Sequence, residues 1–241
     1  MATYVLIHGA GDVASSWDLV AEELRERGHD VIAVDLPCDD PDAGLAEYAD
    51  AVVEAVGAAA EEAATAAAAA AGSTGVTESS NTREQLVVVA HSLGGFTAPL
   101  VCDRIGADLL VLVSAMIPLP GETAGEWWTT SGYMAATRGR PELDDIALYL
   151  HDVPPDLGAA ALEQSRDQAG KPMTEPWPLD AWPDVETRFL LCRDDRFFPT
   201  EWMRGLVRER LGIEPDEIDG SHCVYLSRPQ ELAQRLDALR D

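Results

Sequence analysis

The chain has 241 residues, 46% of them hydrophobic, which suits one soluble α/β domain with a small insertion. Its 43 acidic residues outnumber 17 basic ones, for a formal net charge of −26. Such a surface should repel nucleic acid and anionic membranes, and it reflects either an acidic, lysine-poor composition or adaptation to high salt.

Short, uniformly apolar runs in the first half predict strands of a parallel sheet buried on both faces, since they lack the polar alternation of half-exposed strands. These runs are Tyr4–Ile7, Val31–Val34, Leu86–Val89 and Leu109–Val113. Helical spacing is found at Trp17–Arg27, from Leu45 to about Ala71, and in the stretch that ends at Ile105. Residues 72–82 are rich in Gly, Ser and Thr and predict a flexible loop. Together with the alanine-rich end of the preceding helix, residues 58–82 are interpreted as an elongated insertion that contributes nothing to catalysis.

The strand–helix alternation breaks down over residues 116–184, which are rich in proline and tryptophan. It resumes with a predicted strand at Phe189–Cys192 and helices at Trp202–Leu211 and about Pro229–Leu239. The predicted fold class is therefore α/β, with a mostly parallel sheet flanked by helices. Residues 1–115 and 185–241 would form its core, and residues 116–184 an inserted cap.

The expected location is cytoplasmic. The N-terminus has no basic region or cleavage site before the first strand, and no apolar stretch is credible as a membrane span. The cysteines are widely scattered without zinc-finger or redox spacing, which predicts reduced thiols. They are Cys38, Cys102, Cys192 and Cys223. Whether the chain forms a homodimer stays open.

The hexad Ala90-His91-Ser92-Leu93-Gly94-Gly95 lies between a predicted buried strand and a predicted helix. A small-x-Ser-x-Gly pattern is weak by itself, but this strand–turn–helix position is typical of a catalytic serine. The tight turn requires small residues two positions before and after the serine, as Ala90 and Gly94 are. The alternative is a serine that caps a helix.

A serine hydroxyl needs a base, which is held in turn by a third group. In this architecture the chain order is nucleophile, acid, base. Two histidines follow Ser92: His151 falls in the cap, and His222 lies in a loop before the final helix. His222 is therefore the predicted base, with a surface turn histidine as the alternative.

Two aspartates, Asp194 and Asp195, follow the strand Phe189–Cys192, where the acid is expected. The residues alone leave open which of them is the acid and which is an exposed turn residue. An oxyanion hole requires two N–H donors. Leu93 follows the serine and offers one, and Ala10 in the loop after the first strand offers the other.

These motifs resemble the α/β-hydrolase superfamily over nearly the whole chain. His8-Gly9-Ala10 with Trp17, Arg27-Gly28-His29-Asp30-Val31, and His222 followed by Ser227-Arg228-Pro229 are similar to the group of plant methylesterases and hydroxynitrile lyases. In the superfamily the acid commonly stands four residues before a proline that opens the next helix. Pro199 is that proline, so the resemblance implies Asp195.

The resemblance implies a serine hydrolase that cleaves a carboxylic ester of a small or medium apolar substrate through an acyl-enzyme. One alternative is a carbon–carbon lyase, but lyases of this group place a lysine after the catalytic histidine, where Cys223 stands here. The other alternative is a ligand-binding homologue with low turnover. No phosphate loop, metal cluster or dinucleotide fingerprint occurs, so neither cofactor nor metal is expected.

Overall fold

The computed structural model describes residues 1–71 and 84–240. Within this part of the chain, six strands form one sheet in the order β2-β1-β3-β4-β5-β6, and every pairing is parallel. The strands are β1 Ala2–Ile7, β2 Asp30–Val34, β3 Gln85–His91, β4 Leu109–Val113, β5 Glu186–Cys192 and β6 Asp216–Ile218. The predicted parallel α/β sheet is confirmed.

Helices cover both faces of the sheet. They are α1 Asp18–Glu26, α2 Leu45–Ala71, α3 Gly94–Ile105, α4 Ala124–Thr130, α5 Tyr133–Ala136, α6 Asp145–Tyr149, α7 Pro155–Gln164, α8 Lys171–Thr174, α9 Thr200–Leu211, α10 Val224–Ser227 and α11 Pro229–Ala238. Successive strand residues point to opposite faces, so one face packs on α2, α3 and α9 and the other on α1 and α11. Covering both faces explains the continuous apolar runs.

Helix α2 spans the residues predicted for it, whereas the predicted loop at residues 72–82 lies outside the described residues. No helix of the described chain is long and apolar enough to cross a membrane. Strand β6 was not predicted from the sequence. It is three residues long, two of them acidic, and its Glu217 forms ion pairs with Arg193 and Arg204 at the edge of the sheet.

Between β4 and β5 the chain forms five short helices, α4 to α8, and contributes no strand to the sheet as described. We call residues 116–184 the cap segment; their assignment as a separate cap stays a prediction. The first of these helices begins with a capping box, in which Thr123 accepts the N–H of Glu126 and the Glu126 carboxylate accepts the N–H of Thr123.

A buried ion pair joins the start of the cap segment to α9. The Arg210 guanidinium donates to both carboxylate oxygens of Glu122, at 2.5 and 2.9 Å, and to the Ile117 carbonyl. Both charged side chains are almost fully buried, with exposures of 3% and 6%. Glu122 also accepts the Leu119 N–H at 3.0 Å. Because both side chains are buried, removing either one leaves the other as a buried charge without its counter-ion.

Arg210→Met is therefore expected to lower the free energy of unfolding by about 3–5 kcal/mol, because Glu122 stays buried without its partner. Urea denaturation measures this change. Arg208→Met removes an exposed ion pair with Glu214 from the same helix and should change stability little. Equal losses in the two variants would contradict the interpretation.

Candidate active site

Ser92 lies in a tight turn between β3 and α3. Its φ of 51° is in the left-handed region, which is rare for a residue other than glycine and presents the hydroxyl beyond the end of the strand. A Cβ at Gly94 would lie 2.8 Å from the His8 carbonyl oxygen, which accounts for the small residue predicted there. A Cβ at Gly95 would approach the Met116 carbonyl oxygen to 1.9 Å, so glycine is required there more strictly than at Gly94, which was not predicted from the sequence.

Three predicted site residues meet at the carboxyl end of the sheet. The Ser92 hydroxyl lies 3.1 Å from His222 Nε2, and the Nδ1–H of His222 donates to Asp195 Oδ2 at 2.8 Å. All three residues are buried. Since Nδ1 carries the proton, Nε2 is free to accept the proton of the serine hydroxyl.

Asp195, rather than Asp194, contacts the histidine. Its Oδ1 accepts the N–H groups of Phe197 and Phe198 at 2.8 and 2.9 Å, which leaves Oδ2 for His222. Asp194 is exposed, and its carboxylate accepts the Gly220 N–H at 3.1 Å.

The two predicted oxyanion donors line the same cavity as Ser92. Among the described residues, neither the Ala10 N–H nor the Leu93 N–H has a protein acceptor. The loop that carries Ala10 is held by His8, whose Nδ1–H donates to the Gly9 carbonyl at 2.8 Å while Nε2 accepts the Leu36 N–H at 3.0 Å. Burial lowers the pKa of His8, which favours the neutral ring that this bonding requires.

The cavity over Ser92 has a volume of about 320 Å³. Met116 and Met173 line it, whereas Met134 is 60% exposed and does not. Of the cap tryptophans, only Trp128 reaches the cavity. Trp127 and Trp177 are core residues whose indole N–H groups donate to the carbonyls of Ile117 and Phe96.

A polar cluster lies on one wall of the cavity. The Tyr225 hydroxyl donates to Asp12 Oδ2 at 2.8 Å, and the Cys223 sulfur lies 3.4 Å from that hydroxyl. Burial raises the pKa of the Cys223 thiol to about 12, so the thiol is neutral near pH 7. Neither here nor in the rest of the described chain do three His, Cys, Asp or Glu side chains converge as metal ligands would.

Three contacts from the cap segment to the loops that carry Asp195 and His222 were not predicted from the sequence. His151 Nε2 donates to the Asp194 carbonyl at 2.9 Å, and Asp152 Oδ2 accepts the Ser221 N–H at 3.0 Å. The Tyr149 carbonyl accepts the Cys223 N–H at 3.3 Å. These partners are far apart in the chain, so no local motif marks them.

His91, which was not predicted as a site residue, contacts His222. Its Nε2–H donates to the His222 carbonyl at 3.0 Å, and the two rings are 4.5 Å apart. Burial, and then the neighbouring His222, lower the pKa of His91 well below its usual range. His91 is therefore neutral in the folded protein near pH 7.

This pKa shift predicts a loss of stability below pH 6.5. There the unfolded chain takes up a proton at His91 and the folded chain does not, so stability falls until the lowered folded pKa is reached. Each such histidine adds a slope of about 1.4 kcal/mol per pH unit to the free energy of unfolding. Between pH 7.5 and 5.5, the free energy of unfolding measured with urea should therefore fall by about 1.4 kcal/mol less in His91→Gln than in the wild type. Equal falls in the two proteins would show that folded His91 takes up the proton.

The sequence profile of the alpha/beta hydrolase family matches residues 4–235. The chain belongs to this family. Among curated relatives, this hydrolase is 24% identical to Methylesterase 7 of Arabidopsis thaliana over 277 residues, covering 99% of this chain and 96% of that protein. It is 23% identical to the Alpha-hydroxynitrile lyase of Arabidopsis thaliana, covering 98% and 96% of the two chains.

The crystal structure of polyneuridine aldehyde esterase superposes on this hydrolase with a TM-score of 0.74, at 18% identity and over 100% of both chains. The α/β-hydrolase fold predicted from the motifs is confirmed. The resemblance to the methylesterase and hydroxynitrile lyase group is confirmed as well, because proteins of both names are among the relatives.

Proposed function

We propose that this α/β hydrolase is a serine esterase that cleaves carboxylic esters of small or medium apolar substrates. One observation carries the proposal: a continuous hydrogen-bonded chain runs from the Ser92 hydroxyl through His222 to Asp195 at the floor of a largely apolar cavity. The names of its relatives, methylesterase and esterase, support the same reaction.

In the proposed reaction, His222 Nε2 takes the proton of Ser92 as its Oγ attacks the ester carbonyl carbon. The carbonyl oxygen becomes an oxyanion held by the N–H groups of Ala10 and Leu93. As the tetrahedral intermediate collapses, His222 returns the proton to the leaving alcohol. A water molecule, deprotonated by His222, then attacks the acyl-enzyme and releases the acid and the serine hydroxyl.

The proposed substrate class follows from the cavity walls. Residues of the cap segment supply much of the apolar lining, so we assign this segment the role of a cap over the site. They are Met116, Trp128, Tyr149, Leu150, Ala161, Leu162 and Met173. A volume of about 320 Å³ is at the small end of ligand sites, consistent with a small or medium ester.

The lyase alternative has support from one relative's name but not from this cavity. A cation beside the catalytic histidine would hold a cyanide leaving group, and Cys223 offers a neutral thiol there. Lys171, the single lysine of the chain, instead donates to the Asp42 carbonyl and pairs with Glu47. The low-turnover binding alternative predicts an intact triad with hardly any ester turnover.

A fluorophosphonate probe tests the proposal, because it labels only a serine activated by its base. We expect labelling at Ser92 and hydrolysis within a panel of neutral esters graded by acyl and alcohol size. Labelling without turnover of any ester would favour the binding alternative. Release of cyanide from 2-hydroxynitriles with no ester turnover would favour the lyase.

The cellular setting is also a proposal. The four cysteines are buried and unpaired, which supports a reducing, cytoplasmic environment. The net charge of −26 supports small-molecule substrates rather than nucleic acid as partners. A homodimer stays an untested expectation, which size-exclusion chromatography with light scattering would resolve.

A further inference from the structure

Residues 166–168 of the cap segment, which we call the strap, lie directly against the loop that carries Ala10. The Gly11 N–H donates to Gln168 Oε1 at 3.2 Å. The Gly11 carbonyl accepts the Arg166 N–H at 2.7 Å. Both backbone polar groups of the residue that follows Ala10 are therefore bonded to the strap.

The fit between strap and loop is close. Gly11 has a φ of +62°, and a Cβ placed there would lie 2.5 Å from the Arg166 carbonyl oxygen. The Arg166 guanidinium also donates to the carbonyls of Asp12 and Leu36, each at 3.0 Å. His8 holds the loop before Ala10, and the strap holds it after Ala10.

The orientation of the Gln168 amide is determined by its other neighbours. Its Nε2 donates to the Ala169 carbonyl at 3.1 Å and lies 2.9 Å from the Tyr48 hydroxyl. Because a carbonyl oxygen can only accept, the amide nitrogen must face Ala169 and Oε1 must face Gly11. The contacts of Nε2 with Ala169 and Tyr48 thus fix Gln168 Oε1 in the position where it accepts the Gly11 N–H.

We propose that Gln168 is a positioning residue that orients the Ala10 N–H toward the developing oxyanion. The inference rests on the proposed function, since the oxyanion forms only during acyl transfer. Oxyanion donors stabilise the transition state only when they are held in place beforehand. Without the Gln168 acceptor, the Ala10–Gly11 peptide loses its hydrogen bond to the strap, so the Ala10 N–H beside it is no longer held in a fixed direction.

Gln168→Met tests this role, because it keeps the side-chain length and removes the acceptor. We expect kcat to fall about tenfold with KM nearly unchanged, since a small displacement of a catalytic group acts on the transition state. The inhibition constant of a trifluoromethyl ketone, whose adduct with Ser92 carries an oxyanion, should rise by a similar factor. Affinity for the matched alcohol product should not change.

Hydrogen exchange of the peptide that spans residues 8–13 gives a readout independent of turnover. We expect faster exchange in Gln168→Met, and in Gln168→Ala as a second variant. Asp167→Asn is the matched control, because Asp167 lies in the strap with an exposed side chain and should match the wild type.

Unchanged loop exchange or unchanged kcat in Gln168→Met would overturn the inference. A fall in kcat with no change in ketone affinity would overturn it too, because a general structural defect would then be the cause. A wild-type protein inert toward every ester would refute the proposed function alone, since loop exchange would still report whether the strap holds the loop.

Discussion

Ser92→Ala is expected to lower kcat for the best ester by about 10⁴–10⁶-fold, because loss of a triad member removes the covalent route. Alanine keeps the Cβ that already occupies the strained turn at φ 51°, so the fold and the cavity should be retained. The measurement is kcat and KM on one ester, together with fluorophosphonate labelling and a urea unfolding curve.

Ser15→Ala is the matched control for this variant. Ser15 is exposed and its hydroxyl donates to Gln164 Oε1. We expect near wild-type activity and full labelling. If Ser92→Ala kept even a tenth of the wild-type rate, or were still labelled, the nucleophile assignment would be wrong.

Asp195→Asn is expected to lower kcat by about 10²–10⁴-fold while KM changes little. Its Oδ1 would continue to accept the N–H groups of Phe197 and Phe198, so the new NH₂ group would face His222. That donor requires an unprotonated Nδ1, which places the ring proton on Nε2. A protonated Nε2 cannot accept the proton of Ser92.

Asp194→Asn is the matched control, with an expected loss under about tenfold by the same triad argument. The asparagine carbonyl oxygen can still accept the Gly220 N–H, as the carboxylate does. Both variants should be measured on one ester across pH 6–9. A severe loss in Asp194→Asn with near-normal Asp195→Asn would transfer the role of the acid to Asp194.

The sequence alone was sufficient to predict the parallel sheet and the strand–turn–helix position of Ser92. Strands buried on both faces lose polar alternation, so β1, β3 and β4 appear as apolar runs. Strand β6 was not predicted, because a short edge strand with two charged residues has no such apolar run. Which tryptophans of the cap segment face the core and which face the cavity could not be predicted either. An irregular, proline-rich stretch has no periodicity that separates the two.

The choice between the two aspartates shows where tertiary structure becomes necessary. Spacing to Pro199 pointed to Asp195 only through resemblance to a family. In the structure, the choice follows from two backbone N–H groups that hold one carboxylate toward His222 while the other faces Gly220.

The contacts that hold the site together depend on tertiary structure even more. Gln168 reaches Gly11 across 157 residues of sequence, and Asp152 reaches Ser221 across 69. Hydrogen bonds over such separations leave no local pattern, because each partner's neighbours in the chain are unrelated to it. Chain order and local chemistry were enough to indicate Ser92 and His222, whereas only the packing of the cap segment against the sheet determined which residues hold the loops around them.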